Sequence, residues 1–116
     1  MDYEMLKYFT EFWCSDDTDP YERIYIQWGL SKFFPAKTMS SHVTNWNRNT
    51  SVKFRTDVCS SCKLGFDIDL KSLSAEEYQF VKQAVSNYDL MKPVIFDGDL
   101  YRLVSPYEAT IAPSTM

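Results

Sequence analysis

A strand-like run that passes straight into a capped helix occurs twice in this sequence, and that pairing is what most restricts its fold. Residues 8 to 14, Tyr-Phe-Thr-Glu-Phe-Trp-Cys, are short and aromatic-rich, as suits a buried strand. They lead into Ser15-Asp16-Asp17-Thr18-Asp19-Pro20. Asp19 is a good N-cap, Pro20 fits the first helical position, and Glu22 stands where a capping box needs it. Tyr21, Ile24, Tyr25, Trp28 and then Ser31 or Lys32 follow at helical spacing, which predicts that this face is buried, with Pro35 ending the pattern. Further on, Leu64, Phe66, Ile68 and Leu70 alternate with Gly65, Asp67 and Asp69, the clearest strand signal in the chain. Ser74 and Glu77 then form a second capping box. Tyr78, Val81, Val85, Tyr88 and Met91 or Lys92 trace one helical face, which is expected to end at Pro93.

Between these units, residues 38 to 44 suit a short strand, followed by an Asn-rich loop from Asn45 to Asn49. Ser51 to Cys62 reads two ways. Val52, Phe54, Thr56 and Val58 alternate like a strand, whereas Phe54, Val58 and Cys62 are spaced like a helix. A last strand is expected at Asp99 to Val104. Strands alternating with helices are the grammar of a parallel α/β fold. An eight-stranded β/α barrel needs about 250 residues, so at most three of its units fit in a chain of 116.

Charge and composition exclude several functions. The net charge is -4 and the Lys and Arg residues are scattered, so there is no basic stripe to neutralise phosphates, and nucleic acid is not an expected partner. No apolar run is long enough to cross a bilayer, and Asp2 and Glu4 do not suit a signal peptide, so no membrane is expected and the chain reads as cytoplasmic. Three cysteines fit a reducing compartment rather than a closed disulfide framework. Cys59-x-x-Cys62 with Cys14 and His42 could supply four zinc donors, but the wide spacing and the flanking residues suit buried structural thiols better. A non-catalytic small α/β binding module, or a metal or thiol module on that C-x-x-C, is the competing reading.

The acidic loop carries the chemistry. Asp16 stands where a strand ends and a loop begins, the face on which β/α barrels hold catalytic side chains. Asp19 is accounted for by capping; on the residues alone, Asp16 and Asp17 remain equal candidates for an acid/base carboxyl. An EF-hand is disfavoured, since Asp17-x-Asp19 lacks the required glycine and the later glutamate. Trp13, Trp28 and Trp46 could stack on sugar, although Trp28 also suits the core, and His42 reads as structural.

Phe12-Trp13-Cys14-Ser15-Asp16-Asp17-Thr18-Asp19-Pro20, with Glu22-Arg23 and Ile26-Gln27-Trp28-Gly29, resembles the acid/base region of family 36 α-galactosidases, the melibiases. Phe33-Phe34-Pro35, Met39, His42-Val43-Thr44, Lys53-Phe54-Arg55, Leu64-Gly65 and Gly98 to Pro106 follow in the order that family uses, so the resemblance runs from Asp2 to about Tyr107. It implies part of a (β/α)8 TIM barrel, about strands six to eight with their helices. The sixth strand would end at Ser15-Asp16, the seventh would lie near Met39 to Thr44 and the eighth near Lys63 to Leu70. Residues 51 to 62 would then be helix, residues 1-96 the barrel portion, and residues 97-116 the start of a C-terminal β-domain with its first strand at Gly98 to Ser105.

The same resemblance implies a retaining glycosidase acting on terminal α-galactosyl residues of oligosaccharides. Asp16 would be its general acid/base, with Trp13 and Ser15 as substrate-binding candidates and no metal or cofactor. It leaves an N-acetylgalactosamine substrate and a homo-oligomeric parent open. The family's nucleophile motif, Lys-Trp-Asp, and its Cys-x-x-Gly-Gly-Gly-Arg loop do not occur in these residues. Both ends therefore read as cut, and the 116-residue chain by itself is expected to be inactive.

Overall fold

The computed structural model describes residues 3–45 and 50–108. A 3-10 turn, Tyr3–Lys7, leads to β1 (Phe12–Trp13), α1 (Pro20–Leu30), a 3-10 turn at Ala36–Thr38 and β2 (Met39–Thr44). After these come α2 (Val52–Ser60), β3 (Lys63–Asp67), a 3-10 turn at Leu70–Ser72 and α3 (Ala75–Asp97). The three strands form one parallel sheet in the order β1-β2-β3. Phe12 pairs with Met39 and Trp13 with Ser40, while Ser40 to Thr44 pair in step with Lys63 to Asp67. The ambiguous segment 51 to 62 is therefore helix. Its start is fixed by Ser51, whose hydroxyl accepts the Phe54 N–H.

Both capping signals form. Asp19 accepts from the Glu22 N–H with Pro20 at the first turn of α1, and Ser74 and Glu77 make a reciprocal capping box on α3. Several expectations fail in instructive ways, among them the strand from Leu64 to Leu70, which stops at Asp67 with Leu70 already in a 3-10 turn. β1 is only two residues long, because the Tyr8 and Phe9 N–H groups turn back to the Met5 carbonyl just before it. Pro93 does not end α3, which runs on to Asp97 and closes where the Gly98 N–H reaches the Val94 carbonyl. Proline forfeits one helical hydrogen bond, but nothing downstream of it prevents the backbone from resuming. Residues 99 to 104 form no strand. An alternating run becomes a strand only beside a partner, and here Leu100, Tyr101 and Leu103 are exposed while Arg102 is tied to Ser31 at the end of α1.

Alternation along β2 sets Met39, Ser41 and Val43 on one face and Ser40, His42 and Thr44 on the other. The first face lies beneath the helices. Phe34, Met39 and Cys62 form its core, with Leu6, Phe12, Cys14 and Leu30 packed around them. The side of α1 that turns inward is not the aromatic one. Tyr21 and Tyr25 are exposed, and Pro20, Arg23 and Gln27 are buried instead. Ser41 donates to Gln27 Oε1 at 2.7 Å, and Gln27 Nε2 donates to the Val58 carbonyl at 2.9 Å and to Ser61 Oγ at 3.1 Å. One glutamine thus joins β2, α1 and the end of α2. At the β3 edge of the sheet, the Tyr88 hydroxyl donates to the Cys62 carbonyl at 2.5 Å and accepts the Leu64 N–H at 3.1 Å, tying α3 to β3.

Among the described residues, no helix is long and apolar enough to cross a membrane.

Candidate active site

Asp16 lies in the loop that follows the C-terminal end of β1, and its side chain is exposed. Trp13, the last residue of β1, donates its indole N–H to Asp16 Oδ1 at 2.9 Å. No second hydrogen bond reaches that carboxylate among the described residues, so Oδ2 is open to a ligand or to water. Asp17 and Asp19 are engaged differently. Asp17 Oδ1 accepts the Asp19 N–H at 3.1 Å, an Asx-turn, and Asp19 Oδ2 accepts the Glu22 N–H at 3.3 Å. Ser15 Oγ accepts the Asp17 N–H at 3.0 Å. Of the five polar side chains from Ser15 to Asp19, those of Ser15, Asp17 and Asp19 are thus spent on backbone N–H groups and Thr18 bonds to Thr44, whereas Asp16 is held by an indole.

The loop is fastened from two sides. Thr18 shares a hydroxyl hydrogen bond of 2.8 Å with Thr44 at the end of β2. Arg23, at 1% exposure, donates from Nε to the Asp17 carbonyl at 2.7 Å and from Nη2 to the Ser15 carbonyl at 2.6 Å. Its guanidinium carbon sits 5.0 Å from the centre of the Trp13 ring. The edge of the same ring contact meets His42, with centroids 4.8 Å apart. His42 in turn fills the space above Gly65, where an added Cβ would come within 2.4 Å of the imidazole. Glycine at that position lets the histidine lie flat on β3.

The polar face of the sheet continues below. Ser40 donates to Glu11 Oε2 at 2.7 Å and Lys63 pairs with Glu11 Oε1 at 3.1 Å. The Ser40 hydroxyl bond and then the Lys63 bond hold the Glu11 carboxyl below its ordinary value. Cys14, beside the acidic loop, has its thiol pushed up by burial, a shift that Arg23 partly opposes. Burial also raises Cys59, and it pushes Cys62 up to about 12. Cys59 lies in the last turn of α2 and Cys62 directly precedes β3, both buried. Among the described residues, no group of three or more His, Cys, Asp or Glu is disposed to hold a metal.

Of the sequence-derived candidates, Trp13, Ser15 and Asp16 are brought together, with Trp13 bonded to Asp16 and Ser15 shaping the turn. Trp28 is half-buried and lines an apolar cleft of about 730 Å³ with Phe33, Phe34, Met39 and Phe96. Met39 opens β2, so this cleft lies toward the strand end opposite Asp16. Trp46 lies outside the described residues. Sequence reasoning gave no role to Arg23 or Gln27, although both stand inside the motif that carries the family resemblance. The available signal was their i, i+4 spacing on α1, which puts two long polar side chains on one face.

Parallel strands joined by helices, with a carboxyl loop just past a strand's C-terminal end, define a parallel α/β segment. The family model described as Melibiase matches residues 1–98. Alpha-galactosidase 1 of Pediococcus pentosaceus is 36% identical over 107 residues, covering 88% of this chain and 15% of that protein. Alpha-galactosidase AgaA of Geobacillus stearothermophilus is 35% identical over 113 residues, covering 93% of this chain and 16% of that protein. The crystal structure of AgaA, a GH36 α-galactosidase, matches with a TM-score of 0.85 at 35% identity over 90% of this chain and 15% of that one. The chain belongs to the melibiase family. It spans about 15% of the length of the curated relatives it matches.

Proposed function

We propose that this chain is the acid/base-bearing part of a retaining α-galactosidase, with Asp16 as the proton donor. The observation that carries this reading is the division of labour in the acidic loop. Asp17 and Asp19 hold backbone N–H groups, whereas Asp16 is exposed with one carboxylate oxygen uncommitted among the described residues. The relatives are named α-galactosidases, and a doubly substituted form of AgaA has been crystallised with raffinose. On this reading β1 to β3 are three consecutive strands of a (β/α)8 barrel, residues 1-96 belong to it, and residues 97-116 begin a following domain.

Retention needs two carboxyl groups about 5 Å apart, one attacking the anomeric carbon and one protonating the departing oxygen. Asp16 gives its proton to the leaving oxygen and then takes one from the water that releases the galactosyl group. The attacking carboxylate comes from another part of the catalytic domain, since no Lys-Trp-Asp motif occurs in these residues. Trp13 has two uses here. Its N–H orients Asp16, and its ring, 41% exposed, is available to a sugar face.

The test is a graft. Residues 3–108 replace the matching segment of the Geobacillus enzyme, and turnover is compared between raffinose, a poor leaving group, and a dinitrophenyl α-galactoside, which departs without protonation. Asp16→Asn should slow raffinose about 10²–10⁴-fold and the activated substrate far less. If Asp17→Asn produces that pattern and Asp16→Asn does not, the assignment is wrong. The purified 116-residue chain alone is expected to be inactive, and turnover of a chromogenic α-galactoside by it would refute that part.

A further inference from the structure

We infer that Arg23 is the positioning residue for Asp16: its buried guanidinium grips the peptide on both sides of that residue and supports the ring that holds its carboxylate. The inference rests on the acid/base reading of Asp16 and deepens it. Nε and Nη2 donate to the carbonyls of Asp17 and Ser15, and Asp16 is the one residue between them. Fixing both neighbours leaves the Asp16 backbone little room to turn. The guanidinium also faces the Trp13 ring at 5.0 Å, and that indole donates to Asp16 Oδ1. A single side chain therefore governs where the carboxyl starts from and what it leans against.

A merely adhesive role for Arg23, tying the loop to α1, fits these facts less well. Arg23 is the fourth residue of α1, near the helix end where a positive charge is disfavoured. It is 1% exposed, it forms no salt bridge among the described residues, and its Nη1 is buried without a hydrogen bond. A buried cation with an idle donor is costly, and a neutral donor would hold one carbonyl at less expense. What only the planar fork provides is two carbonyls spanned at a fixed separation. Lysine has the charge but a single point of attachment.

The experiment uses the full chain labelled with ¹⁵N and follows the indole N–H of Trp13, assigned through Trp13→Phe, against pH. Both Asp16 and His42 face this indole, so the step that counts is the one that Asp16→Asn abolishes. In Arg23→Lys that step should disappear while the Trp28 indole signal and the helical circular dichroism persist. A folded Arg23→Lys chain showing the step unchanged in size and midpoint overturns the inference. Should Arg23→Lys fail to fold, the unmodified chain decides. The Arg23 Nε–H signal is expected to move with the same midpoint as the Trp13 step, and an Nε–H that stays still through it overturns the inference equally. Neither reading depends on turnover. An unchanged indole step beside an intact leaving-group effect at Asp16 removes the clamp alone, whereas loss of that effect at Asp16 removes the reading on which it rests.

Discussion

Around α1 the side chains removed from water are Pro20, an arginine and a glutamine, the last two bonded to carbonyls and hydroxyls of the acidic loop, β2 and α2. Along α3, with 23 residues to the 11 of α1, only Val81 and Tyr88 are buried. One helix is defined by directional bonds to distant residues, the other by its own capping and by a single hydroxyl that reaches the sheet. Polar burial of the first kind fixes positions closely and tolerates substitution badly, because each lost partner strands another group. The second kind leaves a long helix whose outer surface can change at little cost.

The comparison can be broken at three points. Gln27→Leu should cost the most, about 3 kcal/mol, since it leaves the fully buried Ser41 hydroxyl without its acceptor and frees the end of α2. Chemical denaturation of the chain measures this, and a loss under about 1 kcal/mol would mean that the α1 side is no more demanding than α3. Tyr88→Phe should cost about 1.5 kcal/mol, because one hydroxyl serves both the Cys62 carbonyl and the Leu64 N–H. Thermal melting would show it, with the loss expected in the α3–β3 contact rather than in the acidic loop.

Ser74→Ala should cost least, about 1 kcal/mol, as the loss of an exposed cap. Its partner gives the cap a pH signature. Hydrogen bonds from the Ser74 backbone and side chain hold the Glu77 carboxyl below its ordinary value. A lowered carboxyl contributes stability that is fully present above its unfolded value, about 4.3, and lost as pH falls through the lower folded value. Helicity followed by circular dichroism during acid titration should therefore fall more steeply in the parent chain than in Glu77→Gln. Parallel curves would show that the cap is not coupled to protonation.

The same contrast explains what could be read from the sequence. Asp19-Pro20 and Ser74-x-x-Glu77 act within four residues of themselves, so the starts of α1 and α3 were legible, as was the alternation that makes β3. The acidic loop was legible as a site, and the family resemblance was carried by its residues. The buried side of α1 was not, because an aromatic stripe at helical spacing outranks arginine and glutamine wherever the environment is unknown. The carbonyls of Ser15, Asp17 and Val58 and the hydroxyls of Ser41 and Ser61, all outside α1, make Arg23 and Gln27 inward-facing. Pro93 and the run at 99 to 104 failed for a related reason. A breaker ends a helix only if the chain has somewhere better to go, and an alternating run needs a neighbouring strand.

The C-x-x-C pair at the junction of α2 and β3 has a kinetic consequence. Cys59 and Cys62 are 4% and 2% exposed, and burial raises both thiols, Cys62 to about 12. At neutral pH almost no thiolate stands there for an alkylating reagent to meet, so each modification must wait for the protein to breathe. Labelling at these two sulfurs then clocks how often the seam between α2 and β3 opens, a built-in stopwatch for the part of the sheet farthest from β1.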